Sequence, residues 1–236
     1  MKRSAPTVRL SEVFRSIQGE GELAGTDSVF IRTVGCNLRC VWCDTPYTSW
    51  RPEAGERVAV DELASRVLDE DCRHVVLTGG EPLLTPACVP LCETLRAAGR
   101  HVTIETAGTV YRPAPADLIS LSPKLLNSTP DAATHPAWAA RHEARRDASG
   151  VVRRLLSGGR YQLKFVVERE ADLGDVAAWV ASHPPAAADR VFLMPQARTA
   201  AEYEALAPRV KRWAEAAGYR FGPRLHVARW GEKRGV

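Results

Sequence analysis

Three cysteines lie within eight residues, at Cys36, Cys40 and Cys43. Thiolates are soft ligands that suit zinc ions and iron–sulfur clusters. A structural zinc site is closed by four ligands, but the next cysteine is Cys72 and no histidine lies between Cys43 and Cys72. Three thiolates on a 4Fe–4S cluster leave one iron free to bind a small molecule. The spacing therefore favours such a cluster, with structural zinc or unliganded core cysteines as alternatives.

A second motif, Thr78-Gly79-Gly80-Glu81-Pro82, follows an apolar run. Glycines let a backbone approach a ligand closely, and bare carbonyl groups can accept hydrogen bonds from an ammonium group. The other cysteines carry no ligand pattern. Cys88 and Cys92 lie on an amphipathic stripe and are expected in the core, while Cys72 stays unassigned.

Strands and helices that alternate along the chain are predicted to position these motifs. The predicted strands cover 8–14, 28–34, 74–78, 101–105, 118–122, 162–167, 190–194 and about 220–226. The predicted helices cover 60–68, 85–98, 136–146, 173–181 and 199–217. This alternation predicts βαβ units and a mostly parallel sheet, which binds its ligand at the carboxyl ends of the strands.

Composition limits the class of protein. The 236 residues are 45% apolar, with 32 basic and 28 acidic side chains, which predicts one globular domain over 1–236 with a surface insertion at about 127–159. A net charge of +4 is too small to indicate nucleic-acid binding. No apolar run is long enough to span a membrane, and no signal peptide is expected at the N-terminus. The cytoplasm is the expected compartment, where clustered cysteines indicate metal binding rather than disulfides.

The spacing of Cys36, Cys40 and Cys43 after a strand, with the Gly79–Pro82 turn, resembles the radical S-adenosylmethionine (SAM) superfamily. Four further stretches resemble the 7-carboxy-7-deazaguanine synthase family within it: residues 14–21 with Ile-Gln-Gly-Glu-Gly, Asp44-Thr45, Ser122-Pro123-Lys124, and the C-terminal stretch from His226. The resemblance implies an α/β fold, an incomplete parallel (β/α) barrel with few helices. A doubly wound open sheet is the alternative.

The family resemblance also implies an activity. Members convert 6-carboxy-5,6,7,8-tetrahydropterin to 7-carboxy-7-deazaguanine and release ammonia, a radical ring contraction in 7-deazapurine (queuosine-type) biosynthesis. The implied cofactors are a 4Fe–4S cluster, SAM and Mg²⁺. A flavodoxin or ferredoxin reductant and a homodimer are the implied partners. The alternatives are a radical activase that modifies another protein and a zinc-stabilised binding module.

Residue roles follow from the same resemblance. The cluster ligands are Cys36, Cys40 and Cys43, and Thr45 is the expected Mg²⁺ ligand, although a threonine there could simply cap a turn. The expected SAM contacts are Trp42, Cys43, Asp44, Gly80, Glu105, Ser122, Pro123, Lys124, Met194 and Gln196. The expected substrate contacts are Ile17, Gln18, Gly19, Glu20, Arg32, Thr78, His226 and Val236. Taken alone, Arg32 could form a surface ion pair and His226 could be a strand histidine in the core.

Overall fold

Nine strands form one sheet in a computed structural model that describes residues 5–183 and 186–236. The sheet order is β3-β1-β2-β4-β5-β6-β7-β8-β9. The strands are β1 Thr7–Ile17, β2 Asp27–Thr33, β3 Glu56–Ala59, β4 His74–Gly79, β5 His101–Thr106, β6 Leu118–Leu121, β7 Tyr161–Val167, β8 Val191–Pro195 and β9 Arg220–Phe221. Strand β2 and strands β4–β9 pair in parallel with one another, whereas β1 is antiparallel to both β2 and β3.

Most of the helices cover one face of this sheet. They are α1 Val60–Leu68, α2 Cys88–Ala97, α3 Pro136–Arg146, α4 Ser149–Ser157, α5 Asp172–Ser182, α6 Ala200–Ala216 and α7 Leu225–Trp230. Helix α6 begins with the capping box that the sequence predicts, because Thr199 and Glu202 each accept a hydrogen bond from the other's backbone N–H. No helix within the described ranges combines the length and the apolarity needed to cross a membrane.

Strand β7 shows how the sheet separates an apolar face from a polar one. Leu163, Phe165 and Val167 point to the helices and belong to the main hydrophobic core. Gln162 and Lys164 alternate with them and point to the opposite face, where both are hydrogen-bonded. Since side chains alternate between faces along a strand, the curved sheet encloses a polar interior. This is the incomplete parallel barrel that the sequence predicts.

The curved sheet is not closed by strand pairing. Strands β3 and β9 lie at opposite ends of the sheet order, so each has only one strand neighbour. Across the remaining gap, the backbone N–H of Leu225 donates to the carbonyl of Gly19 at 2.9 Å. We call this contact the seam. It brings the loop after β1 against the start of α7.

One predicted strand is mostly wrong. The strand expected over 220–226 contains only Arg220–Phe221, and His226 lies on α7 rather than on a strand. Gly222-Pro223 explains the difference, because proline has no N–H to donate to a neighbouring strand. Strand β3 and helix α4 were not predicted, and α2 begins at Cys88, three residues later than expected.

The segment 127–159 is more than the surface insertion that was predicted. It forms α3 and α4, and Val152, Leu155 and Leu156 of α4 are buried in the main core. The segment therefore supplies the crossover between β6 and β7 and contributes one face of α4 to the core. Residues 1–4, where no signal peptide was expected, lie outside the described residues.

Candidate functional site

The cysteine loop and the glycine motif lie side by side because they follow neighbouring strands, β2 and β4. The backbone N–H of Glu81 donates to the carbonyl of Gly35 at 2.8 Å. A Cβ atom at Gly80 would lie 2.2 Å from the same carbonyl oxygen, so only glycine fits here without displacing the cysteine loop. This is the close backbone approach that the glycine pair predicts.

Buried polar contacts hold the glycine motif. The carboxylate of Glu81 accepts hydrogen bonds from the Thr106 hydroxyl and from the backbone N–H groups of Leu83 and Ala107. Burial raises the pKa of Glu81, and this effect outweighs that of the hydrogen bonds, which lower it. The side chain therefore orders the turn after β4 and ties it to the end of β5.

A cleft of about 160 Å³ opens where these two loops meet, at the carboxyl ends of the strands. Its residues come from the cysteine loop, the glycine motif, and the ends of β5, β6 and β7. They are Glu20, Cys36, Leu38, Cys40, Trp42, Cys43, Asp44, Thr45, Ser49, Thr78, Gly79, Gly80, Glu105, Thr106, Ala107, Ser122, Lys124 and Lys164. In the described part of the chain, neither a histidine nor a fourth cysteine lines it.

The donor set in this cleft fits an iron–sulfur cluster. Burial raises the pKa of Cys36 to about 12 and raises that of Cys40 further, so thiolates here need a bound metal to stabilise them. Among the described residues, no three Cys, His, Asp or Glu side chains converge tightly enough to hold a single ion. Cysteines that each bind a different iron of a cubane need not converge on one point, whereas zinc ligands must.

The other three cysteines lie away from the cleft. Cys88 and Cys92 are fully buried in the core, as predicted. The unassigned Cys72 is also buried, and its thiol donates to the carbonyls of Asp27 and His74 at 3.3 and 3.4 Å. All three therefore have packing roles.

Most of the residues expected to contact SAM line the cleft. They are Trp42, Cys43, Asp44, Gly80, Glu105, Ser122 and Lys124. Lys124 lies 5.5 Å from the centre of the Trp42 ring and donates to the Ser122 hydroxyl at 2.7 Å. Pro123, Met194 and Gln196 do not line it. Met194 is buried on β8, where a Cβ at Gly222 would lie 2.7 Å from its side chain.

A second, smaller pocket adjoins the cleft and shares Glu20, Thr78 and Glu105 with it. It contains every residue expected to contact the substrate. These are Ile17, Gln18, Gly19, Glu20, Arg32, Thr78, His226 and Val236, joined by Phe14, Phe30 and Glu105. We call it the interior pocket. The structure thus brings together residues from both ends of the chain.

Several polar groups of the interior pocket are held in place. The Nε atom of Arg32 lies 2.7 Å from Glu12, so the ion pair considered from sequence does form, while the side chain still lines the pocket. A Cβ at Gly19 would lie 2.1 Å from Nδ1 of His226. Burial lowers the pKa of His226, and this effect outweighs that of the nearby charge of Glu20, which raises it. A neutral ring can both donate and accept a hydrogen bond.

Two buried cations join the pocket and the cleft, and sequence reasoning missed both. Lys164 donates to Glu20 and Glu105, each at 2.8 Å. Arg224 donates to Glu20 at 3.2 Å and to Asp44 at 2.5 Å. Burial opposes ionisation of Glu20, but the charges of Lys164 and Arg224 outweigh it and lower its pKa.

This network of three carboxylates and two cations carries one excess negative charge when all five groups are ionised. Lys124 also lines the cleft and offsets this charge, so the network by itself does not select a cationic ligand. Lys164 could have been found from sequence, because a lysine inside an apolar strand is rarely buried without partners. Arg224 gave no such signal.

Comparison with known proteins identifies the family. The radical SAM superfamily matches residues 30–155. A 7-carboxy-7-deazaguanine synthase from Rhodopirellula baltica is 47% identical over all of this chain and 91% of its own length. Another from Halobacterium salinarum is 46% identical over 96% of this chain and 92% of its own length.

The solved structure of QueE from Escherichia coli has the same fold. The two structures align with a TM-score of 0.70 and 22% sequence identity. The alignment covers 95% of this chain and 96% of the QueE chain. The superfamily match implies a 4Fe–4S cluster and SAM as cofactors. The full-length similarity to curated relatives disfavours the activase and zinc-module alternatives. The chain therefore belongs to the 7-carboxy-7-deazaguanine synthase family of radical SAM enzymes, which act in 7-deazapurine biosynthesis.

Proposed function

We propose that this enzyme converts 6-carboxy-5,6,7,8-tetrahydropterin to 7-carboxy-7-deazaguanine with release of ammonia. The observation that carries the proposal is the wall of Glu20, Thr78 and Glu105 shared by the interior pocket and the cysteine cleft. A substrate in the pocket would meet SAM bound in the cleft across this wall. When bound, the cluster and SAM supply a radical that abstracts hydrogen from the substrate.

The interior pocket suits the polar edge of a pterin. That edge presents N–H donors beside a carbonyl acceptor, and Glu20 stays ionised to accept from the donors because two cations lower its pKa. The amide of Gln18 is fixed through its Oε1 atom, which accepts from the Glu20 backbone N–H at 3.0 Å. Its NH₂ group then donates towards Glu105 or towards a ligand carbonyl.

Aromatic side chains form another part of the pocket. Phe14 and Phe30 are stacked, with ring centres 5.0 Å apart and an angle of 7° between the planes. A flat heterocycle can pack on such a surface, and burial there excludes water from the reacting atoms. Arg32 lies 5.2 Å from the centre of the Phe14 ring and offers a guanidinium to the substrate.

Mg²⁺ is proposed to bind at Thr45, which lines the cleft directly after the cysteine loop. Its hydroxyl accepts from Thr48 at 3.2 Å, which leaves further lone pairs for a cation. Magnesium is commonly held by few protein oxygens, with water and ligand oxygens filling its other positions. The substrate carboxylate would supply one of these ligand oxygens.

An anaerobic assay tests the proposal. Reconstituted enzyme is mixed with the carboxypterin, SAM, Mg²⁺ and a chemical reductant, and deazaguanine product and ammonia are measured together. We expect equal amounts of both without any added protein. Formation of 5′-deoxyadenosine without deazaguanine product would contradict the proposed substrate, and a requirement for a second protein would favour an activase.

Two variants separate the proposed roles. Glu20→Gln is expected to raise KM for the pterin about tenfold, the effect of one weakened charged hydrogen bond, while Glu170→Gln on an exposed loop should leave KM unchanged.

Thr45→Ala should weaken the response to Mg²⁺, and Thr45→Ser should restore it. An unchanged magnesium response in Thr45→Ala would remove the role of this hydroxyl.

A further inference from the structure

A buried serine hydroxyl lies against one of the cluster cysteines. The Oγ atom of Ser49 is 3.2 Å from the Sγ atom of Cys43, whereas the hydroxyl of Thr45 is 4.0 Å from the same sulfur. Among the described residues, Cys43 is the one hydrogen-bonding partner of the Ser49 hydroxyl. Ser49 is only 2% exposed and lines the cysteine cleft. Bulk water therefore does not compete for this hydrogen bond, which strengthens it.

Both neighbours of Ser49 in the chain are tied to the cysteine loop. On one side, the carbonyl of Thr48 accepts a hydrogen bond from the backbone N–H of Gly35 at 2.9 Å. On the other side, the indole N–H of Trp50 donates to the carbonyl of Cys40 at 2.8 Å. The position of the Ser49 hydroxyl is therefore fixed by contacts before and after it in the sequence.

The direction of the hydrogen bond follows from the chemistry of a cluster ligand. A cysteine that binds iron is a thiolate and has no proton to donate. A serine hydroxyl can both donate and accept. With the cluster bound, Ser49 must therefore be the donor and Cys43 the acceptor. A hydrogen bond to an ionised acceptor is stronger than one between neutral groups.

A donor at this sulfur acts on the reduction potential of the cluster. Reduction adds one electron, and part of the added negative charge resides on the sulfur atoms. A hydrogen bond stabilises that charge more in the reduced cluster than in the oxidised one. Hydrogen bonds to the sulfur atoms are one of the means by which proteins set the potentials of iron–sulfur clusters.

We propose that the Ser49 hydroxyl raises the reduction potential of the cluster by donating a hydrogen bond to the Sγ atom of Cys43. Ser49 acts through a cluster ligand, so its effect is on how readily the cluster accepts an electron. The proposal depends on the cluster that the superfamily match implies and not on the identity of the substrate.

Redox titration of the reconstituted enzyme tests the proposal without turnover. SAM and pterin are left out, and the reduced cluster is measured by electron paramagnetic resonance against a fully reduced sample of the same variant. In Ser49→Ala, the ratio of reduced to oxidised cluster at the wild-type midpoint potential should fall about fivefold, the effect of one ordinary hydrogen bond. Ser49→Thr keeps the hydroxyl and should titrate like wild type.

Ser28→Ala is the matched control. Ser28 is 1% exposed, and its hydroxyl donates to the carbonyl of Thr26 at 3.1 Å. It lies near the start of β2, whereas the cysteines follow the end of that strand. This variant also loses a buried hydroxyl, but its titration should match wild type. If Ser49 had only a packing role, Ser49→Ala would contain less iron per chain, and the clusters that do assemble would keep the wild-type potential.

Electron–nuclear double resonance gives a second readout. The hydroxyl proton of Ser49 exchanges with solvent, so enzyme reconstituted in heavy water should lose a proton coupling to the reduced cluster. Ser49→Ala should lack that coupling in ordinary water, and Ser49→Thr should restore it.

Three outcomes would overturn the proposal. They are an unchanged potential in Ser49→Ala, a shift in Ser49→Thr as large as that in Ser49→Ala, and the same exchangeable coupling in wild type and Ser49→Ala. Failure of wild type to form deazaguanine would instead contradict the proposed function alone, because neither measurement includes the pterin.

Discussion

Arg224 donates a hydrogen bond to Asp44, the residue directly after the third cluster cysteine, at 2.5 Å. The same guanidinium donates to Glu20 in the interior pocket and to the carbonyl of Ala197. Arg224 is only 2% exposed. One buried side chain thus holds the cysteine loop, the pocket and the loop after β8 together.

Removal of this charge is expected to destabilise the protein. Arg224→Met leaves Glu20 and Asp44 with one cation fewer, and breaking a buried ion pair costs about 3–5 kcal/mol. Asp44 is partly exposed, so we expect the lower end of that range. Urea denaturation of the cluster-free protein measures the change. Arg209→Met on the exposed face of α6 serves as control and should stay within about 0.5 kcal/mol of wild type; equal stabilities of the two variants would refute the bridge.

Replacement of Lys164 should make substrate binding sensitive to pH. In wild type the pKa of Glu20 is lowered, so the group stays ionised at ordinary pH. In Lys164→Met burial and the nearby Glu105 should raise that pKa, so Glu20 takes up a proton as pH falls and no longer accepts from the pterin. KM should therefore rise towards acid in the variant but not in wild type. Parallel KM profiles from pH 6 to 8 would contradict this role of Lys164.

Gly80→Ala should disturb the cysteine loop. The new Cβ would lie 2.2 Å from the carbonyl oxygen of Gly35, so one of the two loops must move, at a cost of about 1–3 kcal/mol. We expect less iron per chain after reconstitution, measured by metal analysis. Gly174→Ala is the matched control, since nothing lies within 4 Å of its added Cβ and it sits within α5. Full iron content in Gly80→Ala would show that the close contact between Gly80 and the Gly35 carbonyl is not needed for cluster assembly.

Acid should destabilise the protein through His142. Its Nδ1 accepts from the Arg39 backbone N–H at 3.2 Å, and burial lowers its pKa to about 4. An unfolded histidine titrates near 6.5, so the unfolded chain binds more protons between these values and stability falls as pH drops through that window. We expect a loss of about 1–2 kcal/mol between pH 7 and 5.

His142→Gln should flatten that dependence. Urea midpoints of cluster-free wild type and variant at pH 7, 6 and 5 provide the measurement. The difference between their slopes isolates this histidine from the other titrating groups. Identical slopes would mean that His142 is not the group responsible.

Residues appended after Val236 should impair catalysis. Val236 lines the interior pocket beside Gln18 and His226, so an added peptide competes for the space of the substrate. We expect a higher KM and lower turnover for a C-terminal tag than for the same tag at the N-terminus. Comparable kinetics of the two tagged proteins would show that the terminal residue does not contribute to the pocket.

Local patterns predicted much of this molecule. The cysteine and glycine motifs lie together as expected because they follow strands that are neighbours in the sheet. Helices α1 and α3 have the predicted bounds, since apolar spacing and Pro136 mark them. The small residues Gly19 and Gly80 also lie where close packing requires glycine.

Long-range charge pairing escaped prediction. Arg224 pairs with residues 180 and 204 positions earlier in the chain, and no local spacing encodes such a contact. Lys164 gave a partial signal as a charged residue in a buried strand, but its partners Glu20 and Glu105 depend on how the sheet curves. The expected SAM contacts Pro123, Met194 and Gln196 do not line the cleft, and their role stays a prediction.

The seam has a consequence for how the enzyme matures. Residues 19 and 225 meet although they lie far apart in the sequence, and such contacts form late because closing a long loop is entropically unfavourable. The barrel strands can pair before this contact forms, when His226 and Val236 do not yet line the interior pocket. Nascent chains would therefore lack a complete site until the last helix docks, which delays radical chemistry until the enzyme can shield it from water.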